Sequence, residues 1–462
     1  MERKSRLSRR DFLRLSAVAT TGAVLAACAP ATPEPTEEIV EEEEPKVVEE
    51  APEMEEVIVS WLSHWSDPDV DAYWDGIIDE FEAENPGIKI ERLTTAYTEL
   101  LIEFMTAYGV GDSPDTYHFN GEMLPDLATA GAMTDAPEEV AQGVEEGWAP
   151  AAVEGVKWEG EVKAIPTEYG TRGFLYNRDL LNQAGVDEPT LPDGYTFEEY
   201  VNMAKAVHEN TDAAGYALAI QHDSAVGPTF YNFLVNNGGE FVDDEKNPTK
   251  CTFNSPEGVE VLKMWQELLD EGAAILSTED DTAMRLATDA IATMVRSNWW
   301  KLMFFDAYDE THEISAQENF GVAGVPWDDA KFSLSYIYAI MVSSQSENPE
   351  AAWTWARYFG FPRSETQNSP FAEFITSFYG VLPSNMLDAE ISPAMQEPYS
   401  AAFVPIVEQF GRMKAIFKGY KEVEHVLAAE IEAAYGGKDA QEALDTAAEL
   451  GNAALAEAQQ SD

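Results

Sequence analysis

Two hydrophobic rhythms, one strand-like and one helix-like, take turns along most of the chain. Val57-Ile58-Val59-Ser60-Trp61-Leu62 is a short apolar, β-rich run that predicts a buried strand. From Val70 to Glu84 the large side chains Trp74, Ile77, Ile78 and Phe81 recur at helical spacing, and Asn85-Pro86-Gly87 ends the helix. Ile88-Lys89-Ile90-Glu91-Arg92-Leu93 then alternates as a strand. A helix near Glu99–Tyr108 and a strand near Thr116–Phe119 repeat the unit. This alternation predicts an α/β fold with largely parallel sheets. From Glu257 onward helices dominate, with a further strand pair near Phe320–Val325 and Tyr336–Val342. Two amphipathic helices fill Tyr420 to Gln459 around Tyr435-Gly436-Gly437. No internal repeat of fixed period is present.

The first 56 residues break the pattern. Arg9-Arg10 precedes an apolar run from Leu15 to Ala27, which closes on Leu25-Ala26-Ala27-Cys28. The run falls short of the roughly 20 residues that a spanning helix needs. A basic start, a short apolar stretch and a small-residue cleavage point predict a signal peptide over 1–27. The arginine pair resembles a twin-arginine export signal and Leu-Ala-Ala-Cys resembles a bacterial lipobox, which would make Cys28 the first mature residue and lipid-bearing. A plain signal peptide with an incidental cysteine is the alternative. Residues 28–56 are rich in Pro, Ala, Thr and Glu and include Glu41-Glu42-Glu43-Glu44, so nothing there can build a core. They read as a lipidated Cys28 followed by an acidic, disordered tether. The expected location is the outer face of the cell membrane (cell surface or periplasm), reached by export and held by the lipid anchor alone.

At 462 residues the chain exceeds one ordinary core, and two lobes are expected. With Cys28 lipidated, Cys251 stands alone and no intramolecular disulfide can form. The formal net charge of -57 excludes nucleic acid and anionic membrane surfaces as partners. No Gly-x-Ser-x-Gly, Gly-x-x-x-x-Gly-Lys or His-Glu-x-x-His motif occurs, and the six histidines are scattered without ligand spacing. No catalytic residue, metal or cofactor is therefore expected.

Several blocks, taken in order, resemble the family 1 extracellular solute-binding proteins of bacterial ABC importers, the maltose-binding-protein-like sugar receptors. They are Asn85-Pro86-Gly87-Ile88-Lys89-Ile90-Glu91, Pro114-Asp115-Thr116-Tyr117 through Gly131, and Ile165-Pro166 through Tyr176-Asn177-Arg178-Asp179-Leu180-Leu181. Thr252–Glu257, Asn348–Trp353 and Gly437–Ala443 continue the match. The resemblance implies a two-lobed periplasmic-binding-protein-like fold with a hinge and an interlobe ligand cleft. The first lobe would hold 57–165 and 330–378, the second 166–329 and 379–462. It implies a monomeric receptor that captures a mono- or oligosaccharide by lobe closure and delivers it to an ABC permease without covalent chemistry. A secreted lipoprotein glycoside hydrolase is the alternative of another class, because abundant carboxylates always supply some candidate pair. Within the binding class, a polyamine, sugar-acid or glycerol-phosphate receptor stays open.

Sugar rings need aromatic platforms beside paired donors and acceptors. The resemblance places Ser63, His64 and Trp65 at the cleft after the first strand, with Trp65 either stacking on ligand or packing against the first helix. Trp61 reads as core. Asn120 and Glu122 follow a strand, where open α/β sheets hold ligands, or else form a helix cap with a neighbouring acid. Tyr169, Thr171 and Arg172 lie on the crossover segment, and Arg172 serves either ligand or an ion pair with Glu168. Tyr231 is expected at the cleft, with Phe230 and Phe233 in the core. Asn298, Trp299 and Tyr336 complete the expected ligand set, Trp299 foremost among them.

Overall fold

The computed structural model describes residues 56–221 and 223–460. The signal peptide, Cys28 and the tether up to residue 55 lie outside the described residues. Eleven strands join in one mixed sheet. In chain order they are β1 (Val57–Ser63), β2 (Ile88–Thr94), β3 (Thr116–Asn120), β4 (Ala164–Asn177), β5 (Ala214–Ala219) and β6 (Ala274–Ser277). Then come β7 (Ile291–Ser297), β8 (Phe320–Ala323), β9 (Ser333–Val342), β10 (Leu382–Pro383) and β11 (Gly411–Met413). The spatial order is β2-β1-β3-β9-β4-β7-β5-β6, with β8 and β10 on β4 and β11 on β9.

The opening βα unit forms for local reasons. Asp67 caps the helix Pro68–Glu84 by accepting from the Asp69 and Val70 amides at 3.0 and 3.1 Å, and Pro68 starts it without wasting an amide. Val70, Trp74, Ile77 and Phe81 are its buried face, and Trp74 meets Trp61 of β1 edge-on at 4.9 Å. Trp61 is accordingly core.

Two hydrophobic cores flank the sheet. One gathers Trp61, Trp74, Phe104, Tyr117, Trp355 and Phe359, the other Tyr200, Tyr216, Phe233, Trp265, Leu427 and Leu444. Within the first core β1 runs parallel to β2 and β3, and within the second β5 runs parallel to β6 and β7. The strands that join the halves are antiparallel, which departs from the largely parallel expectation. β4 is 14 residues long and buried throughout; its first half pairs with β9 and its second with β7 and β8. β9 in turn pairs with β3 and β4. A strand long enough to serve both halves must return through the sheet, so β4 and β9 cross between the lobes as opposed neighbours. The expected strands near 320–325 and 336–342 both form, but each pairs with β4 rather than with the other. The molecule is thus a two-domain α/β fold of the periplasmic-binding-protein type.

Candidate functional site

A cavity of about 340 Å³ lies where β4 and β9 cross, walled by residues from both cores. That volume sits at the lower end of the range of small-molecule sites, about 300–1,000 Å³. Of the expected ligand residues, His64, Trp65, Asn120, Glu122, Arg172, Trp299 and Tyr336 line it. Each arrives at the end of a strand or on a crossing strand. His64 and Trp65 follow β1, Asn120 and Glu122 end β3, and Trp299 follows β7. Arg172 and Tyr336 sit on the crossing strands themselves.

Five expected residues do not line the cavity, each for a visible reason. Ser63 is fully buried, its carbonyl accepting the Thr95 amide. Thr171 is tied into the crossing, its hydroxyl 2.9 Å from Ser333 Oγ and 3.1 Å from Ser335 Oγ. Tyr169 packs in the first core between Ile337 of β9 and Leu382 of β10. Tyr231 stacks on Phe241 at 4.4 Å, and its hydroxyl accepts the Ala415 amide. Asn298 is 1% exposed, with Nδ2 3.5 Å from the Tyr169 carbonyl.

The structural side of each open alternative can be read residue by residue. Trp65 lines the cavity and packs on Phe371 and Phe374, each at 5.4 Å, on the helix Pro370–Phe378 and not on the first helix. Asn120 caps the turn Gly121–Met123 by accepting the Glu122 amide, and also faces the cavity. Among the described residues Glu168 and Arg172 form no ion pair; they stand four positions apart on an extended strand, roughly 13 Å.

The charges are organised. Glu122 is buried and bound by two lysines, Lys414 and Lys421, the latter at 2.5 Å. Burial alone would raise its carboxyl, but the two ammonium groups outweigh burial and hold it at about 2. Arg296 is 4% exposed, lies over the Trp300 ring at 5.0 Å, and is drawn down to about 10 by burial and by the charge of Arg172. Burial alone pushes the Glu168 carboxyl up to about 8 and the His64 ring down to about 3.

Sequence reasoning missed Tyr97, Glu279, Arg296, Tyr338, Tyr379 and Lys414, and left Glu168 outside the ligand set, although all seven line the cavity. Tyr338 was recoverable from Tyr336 by strand alternation. Lys414 and Tyr379 come from segments with no local signal. Among the described residues no group of histidine, cysteine or carboxylate side chains is arranged to hold a metal ion.

Known proteins share this architecture. A binding protein of Brucella abortus (strain 2308) is 20% identical over 384 residues, covering 80% of this chain and 87% of its own length. The GacH receptor of Streptomyces glaucescens, solved unliganded and with acarbose, superposes with a TM-score of 0.71 at 21% identity, over 88% of this chain and 99% of that one. A Thermotoga lettingae ABC transporter solute-binding protein bound to α-D-tagatose gives 0.69 at 22% identity, over 86% and 100%. At such identities the superpositions show the shared fold. Residues 76–396 match the model of the bacterial extracellular solute-binding proteins. A two-lobed sheet crossed by two strands, a cavity at the crossing and that match over more than half the chain place this protein in the bacterial extracellular solute-binding protein family.

Proposed function

We propose that this protein is the carbohydrate-capturing subunit of an ABC importer, exported, lipid-anchored through Cys28, and acting as a monomer that hands its ligand to a membrane permease. One observation carries the ligand class. The cavity sets aromatic faces (Trp65, Trp299, Tyr336, Tyr338 and Tyr379) beside charged hydrogen-bonding groups, the combination that a ring with apolar faces and hydroxyl edges requires. Relatives named for acarbose and tagatose support that reading. The two groups of parallel strands, β1–β3 and β5–β7, joined through β4 and β9, support a first lobe of 57–165 and 330–378 and a second of 166–329 and 379–462, moving about the crossing strands. Because the walls come from both lobes, ligand contacts are complete only when the lobes meet, and ligand shifts the population toward closure.

The test is a thermal-shift and calorimetric screen against neutral sugars, amino sugars, sugar acids, glycerol phosphates and polyamines. A saccharide that binds the folded state raises the melting temperature by mass action. Trp299→Ala is expected to weaken that binding at least ten-fold while the unliganded melting temperature stays within a few degrees, since Trp299 is only half-buried. Stabilisation by no saccharide at all would sink the proposal.

A further inference from the structure

Glu168 differs from every other charged group in the cavity. Glu122 is matched by Lys414 and Lys421, Arg296 is stacked on Trp300, and Arg172 and Glu279 lie within each other's field. Glu168 lines the cavity at 5% exposure, and among the described residues its carboxyl has neither a hydrogen-bond donor nor a cationic partner. It shares a strand face with Arg172, and a bulge lies directly on its far side. Opposite Tyr338 and Ala339 of β9, the register of β4 jumps from Glu168 to Pro166, leaving Thr167 unpaired, and Thr167 Oγ1 turns instead to His118 Nε2 at 2.8 Å. The bulge displaces Thr167 alone and leaves Glu168 in phase with Gly170 and Arg172. The surroundings of the carboxyl are aromatic: Tyr336, Tyr338 and Tyr379 all lie within its electrostatic reach and share the cavity wall.

A carboxyl that lines a cavity and has no partner among the described residues is open to one supplied by a ligand. A neutral hydroxyl can hydrogen-bond the protonated acid but leaves its proton in place; a cation stabilises the carboxylate and draws the proton off. The tyrosine rings favour a cation further. The guanidinium of Arg172 belongs four residues away on the same strand, leaving the Glu168 end free of competing positive charge. We propose that Glu168 anchors the ligand and that the ligand is an amino sugar, its protonated amine paired with the Glu168 carboxylate among Tyr336, Tyr338 and Tyr379. This inference rests on the carbohydrate-receptor reading and narrows it.

The experiment is calorimetric titration of the full chain with glucosamine, galactosamine and the disaccharide of two β-1,4-linked glucosamines, each beside its neutral counterpart: glucose, galactose and cellobiose. At least one amine is expected to bind ten-fold or more tightly than its neutral partner, and Glu168→Gln to abolish that difference. Binding at pH 7 should also release the proton that burial retains on Glu168, read as an enthalpy that depends on the ionisation enthalpy of the buffer. Neutral sugars that bind as tightly as the amines would overturn the inference and leave the receptor reading intact. An unchanged amine preference in Glu168→Gln would overturn it as well. Binding of no saccharide of either kind would remove both. The comparison of amine with neutral sugar in the unaltered protein needs no variant to fold.

Discussion

A single carboxyl at position 168 couples the cavity to pH even before ligand enters. Its ordinary value is 4.5, and burial raises it to about 8. The folded protein therefore holds this proton more tightly than the unfolded chain does. The contribution to stability is complete below pH 4.5, shrinks as pH rises, and is lost by the time pH passes about 8. Many other acids titrate in this chain, so the informative quantity is a difference. The melting temperature of ligand-free Glu168→Gln minus that of the unaltered protein should rise by several degrees between pH 4.5 and pH 8.5. A difference that stays flat across this window would mean that the carboxyl is solvated. His64, whose ring burial lowers from 6.5 to about 3, also makes stability fall as pH drops below 6.5, but it does so equally in both proteins and cancels in the difference.

At the scale of the element, strand β4 determines which residues face the cavity. Glu168 and Arg172 fall on alternate positions of the strand and line the cavity, whereas Tyr169 and Thr171 fall between or beside them and are taken up by packing and by the Ser333 and Ser335 hydroxyls. Gly170 lies between them because the Tyr336 ring crosses it: a Cβ at 170 would come within 2.0 Å of that ring. Gly170→Ala must therefore displace Tyr336, at a stability cost of about 1–3 kcal/mol for overpacking, together with weaker ligand binding. Gly109→Ala is the control. It sits in the helix Leu100–Val110 with nothing within 4 Å of the new methyl, and should stabilise by up to about 1 kcal/mol. Equal effects of the two substitutions would refute the steric account. The strand also shows what the sequence made legible. The opening β1–helix–β2 unit and the last two helices could be read from period alone, because each buries one face locally. The antiparallel crossing of β4 and β9 could not, since their partners are remote in the chain. Trp65, Asn120, Glu122 and Trp299 were findable at or just past strand ends, and Arg172 on the crossover segment. Lys414 reaches the cavity only through its pairing with Glu122, a contact between segments nearly three hundred residues apart.

For the whole molecule, that pairing bears on how the lobes close. Glu122 sits on the turn after β3, beside Met123 and Leu124 of the first core. Lys414 follows β11, and Lys421 lies on the helix Tyr420–Tyr435 that builds the second core. One carboxylate from the first half is thus gripped by two lysines from the second, and Lys421 is steadied in turn by Glu424 at 3.0 Å. Opening the cleft would separate these charges into water. The lost attraction and the regained hydration nearly cancel for such pairs, so the arrangement biases the open–closed equilibrium without locking it. Glu122 and Lys414 line the cavity, and a loss of affinity on changing either could reflect a lost ligand contact. Lys421 touches Glu122 from outside the cavity wall. Lys421→Met should therefore act only through closure: ligand affinity weakened about three- to ten-fold, near 1 kcal/mol, with a larger radius of gyration in scattering from the ligand-free protein. Glu122→Gln should enlarge the molecule further, because it leaves Lys414 buried without its anion. If Lys421→Met leaves both affinity and radius unchanged, the lysines merely neutralise a buried acid and closure is driven by ligand contacts alone.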